Sequence, residues 1–227
     1  MDKSSGPEDI YNILFSYYGP RGWWPLIRPG GTRPEYFVTL ERREQIFEVA
    51  VGAVLTQNTA WSNAAGAVAE LNRTGNLSPR RILDLDQKRL AGIIHSSGYY
   101  NMKARKLKAL ARFFSGRSGD VTRDDLLSVY GIGPETADSI LLYGFGEPAF
   151  VVDTYTGRIF GRIGILKESM KYDRIREYFE LNLPRDPALY GEYHALIVEH
   201  AKKFCRRSPL CGECPLNRIC RHRPDSV

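Results

Sequence analysis

The residues best suited to chemistry begin with two glycines, Gly131 and Gly133, that bracket one apolar residue. This spacing predicts a tight hairpin whose backbone can take positive φ and approach a ligand closely. Pro134 follows where a new helix would begin, and the unpaired amides at a helix start suit a phosphate oxygen. From these residues alone, a structural turn between two helices is an equally good interpretation.

A carboxylate follows the hairpin further along the chain. Asp153 ends the short apolar run Phe150-Val151-Val152 and precedes Thr154, where another helix is expected. Aspartate is among the preferred N-cap residues, so the simplest interpretation is that Asp153 caps that helix.

The only cysteines of the chain are the four in its C-terminal segment, Cys205, Cys211, Cys214 and Cys220, with the spacing C-x5-C-x2-C-x5-C. Disulfides are not expected in an intracellular protein that lacks a secretion signal. A four-thiolate zinc site usually shows two C-x2-C pairs, and only Cys211 and Cys214 form one here. A [4Fe–4S] cluster is held by four thiolates with varied spacing. The pattern therefore favours an iron–sulfur cluster, with zinc as the alternative.

Apolar residues recur at helical spacing over most of the chain and predict an all-α fold without a clear strand pair. Besides the helices on either side of the hairpin, which begin near residues 122 and 134, helices are expected at residues 7–18, 41–57, 61–72, 78–85, 87–95, 102–115, 171–183 and 187–204. The second of these ends in the polar segment Thr56-Gln57-Asn58-Thr59, which from its residues alone is the end of one helix and the cap of the next.

Composition limits the class of protein. A length of 227 residues allows one large or two small domains with real cores. The 32 Lys and Arg exceed the 26 Asp and Glu by six, a balance compatible with a polyanionic partner. No apolar run is long enough to span a membrane, and Met1-Asp2-Lys3 does not begin a signal peptide. We therefore expect an intracellular protein of the cytoplasm or nucleoid, with no membrane partner.

Together, the hairpin, its second helix, the apolar connector and Asp153 resemble the helix-hairpin-helix DNA glycosylases of the endonuclease III superfamily, in which a catalytic aspartate follows the hairpin. The resemblance implies two helical domains with a DNA-binding cleft between them. Residues 1–40 plus 146–227 would carry the catalytic Asp153 and a cluster loop at 205–220. Residues 41–145 would form a six-helix barrel with the motif at about 122–145. The expected partner is double-stranded DNA containing a damaged base, bound by a monomer.

The same resemblance implies DNA contacts in the central part of the chain. Gln57 matches a glutamine that fills the gap left by a flipped nucleotide, with Asn58 and Thr59 beside it. Lys103 belongs to a helix with a basic face that resembles a backbone-contacting helix of the family, where positive charge would add salt-sensitive affinity.

In the hairpin itself, Gly131, Gly133 and Thr136 match positions that bind DNA in the family. The C-terminal segment resembles the cluster loop of endonuclease III and of adenine-mismatch glycosylases, so the four cysteines are implied to hold a structural [4Fe–4S] cluster. The first gap between cysteines is one residue shorter than the family usually shows.

One hairpin residue bears on the reaction. Bifunctional endonuclease III enzymes carry a lysine two residues beyond the second glycine, and its amine attacks the sugar C1′ to form a Schiff base. Glu135 occupies that position here. Because a carboxylate cannot form an imine, the resemblance implies a monofunctional enzyme whose AP lyase activity is weak or absent.

Further motifs resemble the 3-methyladenine DNA glycosylase III branch, including Trp23-Trp24-Pro25 and Phe47-Glu48. Trp23, Trp24 and Phe47 match aromatic residues that stack on the extruded alkylated purine, although periodicity alone would place all three in the core. Lys202 is the nearest match to a lysine of that pocket, to which we also assign Glu135.

The implied activity is hydrolysis of the N-glycosidic bond of a 3-methyladenine-type base. One alternative is a glycosylase for oxidised, deaminated or mismatched bases, with or without lyase activity. The other is a non-catalytic DNA-binding module in which Asp153 is only a cap.

Overall fold

The chain folds mainly into helices in a computed structural model that describes residues 6–41, 43–116 and 119–222. Residue 42 of the predicted second helix lies outside the described residues, as do the outermost ends of the predicted domains, residues 1–5 and 223–227. Met1-Asp2-Lys3, on which the expectation of no signal peptide rests, lies outside the described residues as well.

The α-helices of the described residues are numbered in chain order: α1 (Pro7–Tyr18), α2 (Arg43–Thr56), α3 (Trp61–Arg73), α4 (Pro79–Asp84), α5 (Gln87–Ile93), α6 (Tyr100–Ser115), α7 (Arg123–Leu127), α8 (Pro134–Ile140), α9 (Thr154–Ile163), α10 (Tyr172–Asn182) and α11 (Pro187–Lys203). A 3-10 turn at His95–Ser97 precedes α6, and a π-helical turn at Leu141–Phe145 continues α8. The predicted all-α class is confirmed.

One short strand pair was not anticipated. Leu26–Ile27 (β1) pairs antiparallel with Pro34–Glu35 (β2), with Leu26 opposite Glu35. Two residues per strand are too few for an alternating pattern to appear in the sequence, which explains why the expectation of no strand pair was wrong.

The chain divides into two compact units. The terminal unit comprises Met1–Trp23 and Pro148–Val227, and the central unit comprises Trp24–Glu147. Residues 24–40, which we expected in the discontinuous domain, fall in the central unit. The reason is local, because β1 contacts α2 and β2 contacts α3.

The central unit is built around α2. Val49, Ala50, Val51, Val54 and Leu55 have no appreciable exposed surface, so this helix is buried over most of its circumference rather than along one stripe. Helices α3, α6 and α8 pack around it. This arrangement fixes the loop at the end of α2 and the hairpin before α8 within one core.

The terminal unit is built around α11, which contacts α1 and α9. Its core is aromatic: Phe150 stacks on Phe179 with ring centroids 4.2 Å apart, and Tyr193 lies edge-on to both. Tyr193 Oη also donates a hydrogen bond to the Pro7 carbonyl at 2.7 Å. This bond joins the two chain segments of the unit.

Candidate functional site

The two hairpin glycines of the central unit serve different purposes. Gly131 has φ +84°, and a Cβ atom there would lie 2.4 Å from Lys106 Cγ, so both the backbone conformation and the neighbour require glycine. Gly133 has φ −99° and is the N-cap of α8, directly before Pro134. A Cβ atom at Gly133 would meet nothing within 4 Å. The structure therefore explains Gly131 but leaves space beside Gly133.

Gln57 connects the end of α2 to the hairpin. Its Nε2 donates to the Gly131 carbonyl at 3.1 Å and to Thr136 Oγ1 at 2.9 Å, and its Oε1 accepts a hydrogen bond from Lys106 Nζ. Three of the residues expected to contact DNA, Gln57, Gly131 and Thr136, are thus brought together within one unit. Thr136 is only 7% exposed, so its hydroxyl orders the hairpin from inside.

Asn58 is the exposed residue of the same loop. It has φ +54°, a conformation that asparagine tolerates better than most side chains. Thr59 is more constrained, because its Oγ1 accepts from Asn63 Nδ2 at 3.0 Å and its amide donates to the Thr56 carbonyl at 3.1 Å. Of the predicted gap-filling residues, Asn58 has the side chain most accessible to a ligand.

Lys103 lies in the interior, contrary to the expectation that it contacts DNA. Its Nζ donates to the Leu55 carbonyl at 2.8 Å and to the Ser97 carbonyl at 2.7 Å, and the residue is 2% exposed. Burial, together with the positive charge of Lys106, lowers the pKa of Lys103 to about 8. The ammonium group holds the end of α2 and the 3-10 turn in place. We therefore replace the expected phosphate contact of Lys103 by a structural role.

Arg105, a residue of the predicted basic face of α6, is exposed on the same helix as Lys103. Its guanidinium lies over the ring of Tyr130, 5.3 Å from the centroid, and Tyr130 is 51% exposed directly before Gly131. The sequence places Tyr130 directly before the hairpin, but it does not show which lysine or arginine of α6 lies over the ring of this tyrosine.

Two carboxylates follow the hairpin on α8. Glu135 is exposed in the first turn of the helix, where a negative charge is favourable. Asp138 is fully buried, and its two oxygens accept from Arg123 Nε at 2.7 Å and Nη2 at 3.2 Å. Asp138 is therefore a structural ion-pair partner within the central unit.

The expected base-pocket residues lie in several environments. Trp24 is 8% exposed and packs against Trp61 and Tyr143, with centroids 5.0 and 5.1 Å away. Gly52 permits this position, since a Cβ atom there would lie 3.1 Å from Trp24 Cζ2.

Phe47 is 3% exposed and packs on Phe114, with ring centroids 5.3 Å apart. Trp23 ends the first segment of the terminal unit and is half-buried. Lys202 is exposed in the last turn of α11, where its carbonyl accepts from Arg206 Nε at 2.9 Å. The assignment of these residues to one pocket stays a prediction.

Asp153 is the N-cap of α9 in the terminal unit. Its Oδ1 accepts from the Thr156 amide at 2.7 Å and from Thr156 Oγ1 at 2.9 Å, and the Asp153 amide donates back to Thr156 Oγ1 at 3.4 Å, which completes a capping box. The other oxygen, Oδ2, lies 3.7 Å from His194 Nε2, and the Asp153 side chain is 9% exposed. Capping therefore uses one carboxylate oxygen and fixes the direction of the other.

The electrostatics of Asp153 favour the ionised form. Burial raises the pKa of this carboxyl, but the interaction with His194 and the hydrogen bonds from Thr156 outweigh it, so the pKa lies below its ordinary value. His194 was not identified from the sequence, because a single histidine within a buried helix carries no spacing signal.

All four cysteines line one pocket of the terminal unit, between α9, α11 and the C-terminal segment. None of them forms a disulfide. Burial raises the pKa of the Cys214 thiol to about 11, and nearby charge on the other three cysteines raises it as well. In the described part of the chain, no three His, Cys, Asp or Glu side chains are arranged as a metal-binding group. The donor set suits a four-thiolate centre, although its atoms do not have that geometry.

Arg162 organises the segment that carries the cysteines. Its Nη1 donates to Cys205 Sγ at 3.3 Å and to the Arg206 carbonyl at 2.6 Å, and its Nη2 donates to the Arg207 carbonyl at 3.0 Å. The Arg162 carbonyl accepts from the His222 amide at 3.0 Å. One arginine of α9 thus holds both ends of the segment.

The hairpin followed by a connector and a capping aspartate defines the class of protein. The family model described as the HhH-GPD superfamily base excision DNA repair protein matches residues 51–185. The chain belongs to this superfamily, and it is a DNA glycosylase of base excision repair. No helix among the described residues is long and apolar enough to cross a membrane.

Individual relatives sharpen this assignment. A provisionally named DNA repair glycosylase of Methanocaldococcus jannaschii is 44% identical over 223 residues, 93% of this chain and 94% of the relative. Endonuclease III of Sulfolobus acidocaldarius is 31% identical over 194 residues, 82% of this chain and 86% of the relative.

Two solved structures are similar as well. The 3-methyladenine DNA glycosylase MagIII of H. pylori bound to 1,N6-ethenoadenine has a TM-score of 0.72 at 27% identity, covering 88% of this chain and 98% of that one. A non-covalent endonuclease III–DNA complex has a TM-score of 0.76 at 20% identity, covering 96% of each chain, and shares the fold.

Proposed function

We propose that the protein is a monofunctional DNA glycosylase that hydrolyses the N-glycosidic bond of a flipped alkylated purine of the 3-methyladenine type. The observation that carries this proposal is Asp153, a largely buried carboxylate with a lowered pKa, of which only Oδ1 accepts the capping hydrogen bonds. The similarity to H. pylori MagIII supports the choice of an alkylated purine.

The central unit supplies the proposed grip on DNA. The amides around Gly133 bind the backbone, since the space beside this glycine admits a phosphate. Arg105 and Tyr130 add charge and an aromatic face on the same unit. The loop of Gln57, Asn58 and Thr59 fills the gap left by the extruded nucleotide. Because Gln57 already bonds to the hairpin, we assign insertion first to the exposed Asn58 and loop stiffening to Gln57.

The chemistry follows from the charge of the substrate. A purine methylated at N3 or N7 is cationic and leaves C1′ as a neutral base with the bonding electrons, so it needs little general-acid help. An aromatic face would favour this cation by about 1–2 kcal/mol, and Trp23, Trp24, Glu135 and Lys202 stay candidate pocket residues. The packing of Phe47 on Phe114 argues for a structural role of Phe47 instead.

Asp153 acts on the sugar. Its carboxylate stabilises the positive charge that develops at C1′ and orients the water that replaces the base. The water oxygen bonds to C1′, and the released proton passes through the carboxylate to solvent.

Two changes to Asp153 test the assignment. Asp153→Asn is expected to abolish release of free 3-methyladenine from alkylated DNA while lesion binding is retained, and Asp153→Glu is expected to retain some activity. Unchanged release by Asp153→Asn would show that Asp153 is only a helix cap and not the group that acts at C1′, whereas no release by the unmodified protein would leave only a DNA-binding module.

Lyase activity is tested separately. Glu135 provides no amine, so borohydride reduction in the presence of abasic-site DNA is expected to trap no covalent adduct. Glu135→Lys places an amine at the exposed first turn of α8 and serves as the matched variant, for which an adduct becomes possible. An adduct formed by the unmodified protein would contradict monofunctional hydrolysis.

A second candidate is excision of other bases. Endonuclease III of S. acidocaldarius and a thymine/uracil-DNA glycosylase of Pyrobaculum aerophilum are each 31% identical, the latter over 182 residues. Oligonucleotide duplexes that carry one oxidised pyrimidine, uracil, mismatched thymine or alkylated purine distinguish the candidates by their single-turnover rates.

We further propose that Cys205, Cys211, Cys214 and Cys220 hold a structural [4Fe–4S] cluster, with zinc as the alternative. When bound, the cluster would fix the exposed Arg206, Arg207 and Arg218 near DNA phosphates. Iron content together with an absorbance shoulder at about 400 nm supports iron, whereas one zinc per chain without that absorbance supports zinc. Replacement of Arg162 by alanine is expected to lower retention of the metal in either case.

A further inference from the structure

We infer that His194 is a positioning residue for Asp153: it directs the free carboxylate oxygen and helps to keep it ionised for the glycosylase reaction. The inference rests on the proposed function, because it assigns a partner to the carboxylate that acts at C1′. It assigns no contact between His194 and the substrate.

The geometry limits what Asp153 can do. Thr156 occupies Oδ1 through both its amide and its hydroxyl, so rotation of the carboxylate would break the cap of α9. Oδ2 consequently points towards His194 Nε2, 3.7 Å away, with the two side chains 9% and 10% exposed. At this separation and burial, a proton on Nε2 is attracted to the carboxylate with little screening by solvent.

The surrounding helices hold Asp153 and His194 in place. The connector before Asp153 is fixed by α10, because Glu180 Oε1 accepts from the Phe150 amide at 3.0 Å and Tyr172 Oη accepts from the Val152 amide at 3.4 Å. Helix α9 contributes Thr156, and α11 contributes His194 from its buried face. Three helices thus fix the carboxylate and its partner.

The pKa of Asp153 tests the inference, because a His194 side chain that only filled space would leave this pKa unchanged. Since the interaction with His194 helps to lower the pKa of Asp153, its removal should raise that pKa. His194→Phe keeps a ring in the helix but loses the nitrogen. His194→Gln retains an amide N–H at a similar distance along the side chain and is the conservative variant.

Two measurements follow. The carboxyl 13C resonance of Asp153, titrated without DNA, should move to a higher midpoint pH in His194→Phe and return towards the original midpoint in His194→Gln. With a duplex that contains one alkylated purine, the single-turnover rate of His194→Phe should fall on the order of tenfold, less than the loss of a direct acid or base. Its acid limb should move to higher pH while the Kd for DNA stays unchanged.

A neighbouring variant controls for packing. Tyr193 directly precedes His194 in α11. Tyr193→Phe removes the hydrogen bond from Tyr193 to the Pro7 carbonyl, and it should lower stability without moving either pH midpoint. If His194→Phe behaves like Tyr193→Phe, the inference is overturned.

The proposed function fails differently. It fails if the unmodified protein releases no base, or if Asp153→Asn remains active, whatever His194 does. Because the 13C titration requires no turnover, it still tests the pairing in that case.

Discussion

Two buried carboxylates of this protein, Asp138 in the central unit and Asp153 in the terminal unit, are held in opposite ways. Both oxygens of Asp138 accept from the Arg123 guanidinium, and the side chain has no exposed surface. Asp153 uses one oxygen for its helix cap and keeps 9% of its side chain exposed. A carboxylate whose two oxygens are both held by one guanidinium maintains the fold, whereas one that is capped on Oδ1 and faces His194 at 3.7 Å with Oδ2 is oriented and still partly exposed.

The same contrast appears twice more within the central unit. On α6, Lys103 donates to two buried carbonyls, whereas Arg105 extends over the exposed Tyr130 ring. In the hairpin, Gly131 lies against Lys106, whereas Gly133 faces open space. In each pair the structure explains one residue by its contacts, and the other is accessible to a ligand.

The largest effect on stability is expected when Arg123 is replaced by methionine. The change leaves the Asp138 carboxylate buried without its guanidinium, and we expect a loss of about 2–4 kcal/mol in the free energy of unfolding. Urea denaturation measures it. Arg73→Met, which removes the exposed pair with Glu70, is the matched control and should change the free energy of unfolding much less than Arg123→Met. Equal losses in both variants would show that the buried pair does not stabilise the hairpin helices.

The next effect concerns Lys103. Lys103→Met removes the donor to the Leu55 and Ser97 carbonyls while it keeps side-chain volume, and it should cost about 2 kcal/mol near neutral pH. Arg105→Met, on the same helix but exposed, should change stability little and weaken DNA binding instead.

The pH dependence of Lys103 has a definite sign. Its pKa is lowered from 10.5 to about 8 in the folded protein, so between these values the unfolded chain binds more protons and stability rises with pH. Lys103→Met lacks this contribution. The difference in stability between the original protein and the variant should therefore widen from pH 8 to 10.5. A constant difference would contradict a lowered pKa.

Much of this arrangement was accessible from the sequence. Helical periodicity predicted the all-α fold, and the start of α11 at Pro187 follows from a proline placed after an N-cap Asp186. The resemblance carried by Gly131, Gly133 and Asp153 indicated the family. These features are local or are set by short separations along the chain.

The remaining features depend on contacts between distant residues. A basic stretch does not reveal that Lys103 points inward while Arg105 points outward, because two residues, about half a helical turn, separate the buried face from the exposed one. The partnership of Asp153 with His194 joins positions far apart in the chain, and no periodicity reports it. The packing of Trp24 against Trp61, and of Phe47 against Phe114, likewise depends on which faces of α2 are covered by other elements.

A smaller effect is expected at Gly131. Gly131→Ala forces a side chain into φ +84° and against Lys106, with an expected cost of about 1–2 kcal/mol because the lysine chain can move. That movement should also disturb the Lys106–Gln57 hydrogen bond and weaken DNA binding. Thermal unfolding and fluorescence anisotropy with labelled duplex measure the two losses. Their absence would show that the hairpin tolerates a different backbone conformation.

The smallest effect on stability is expected at Gly133, and it separates the two glycines most sharply. Gly133→Ala introduces a Cβ atom that meets nothing within 4 Å at φ −99°, so the free energy of unfolding should change by less than about 0.5 kcal/mol. If phosphate binds at this open position, the same methyl group should displace it and lower DNA affinity, with little change in the salt dependence because no charge is removed. Loss of affinity with stability retained would assign Gly133 to ligand approach, in contrast to Gly131, where both quantities should fall. Unchanged affinity would mean that the backbone beside Gly133 does not contact DNA and that the grip must come from Arg105 and the loop at Asn58.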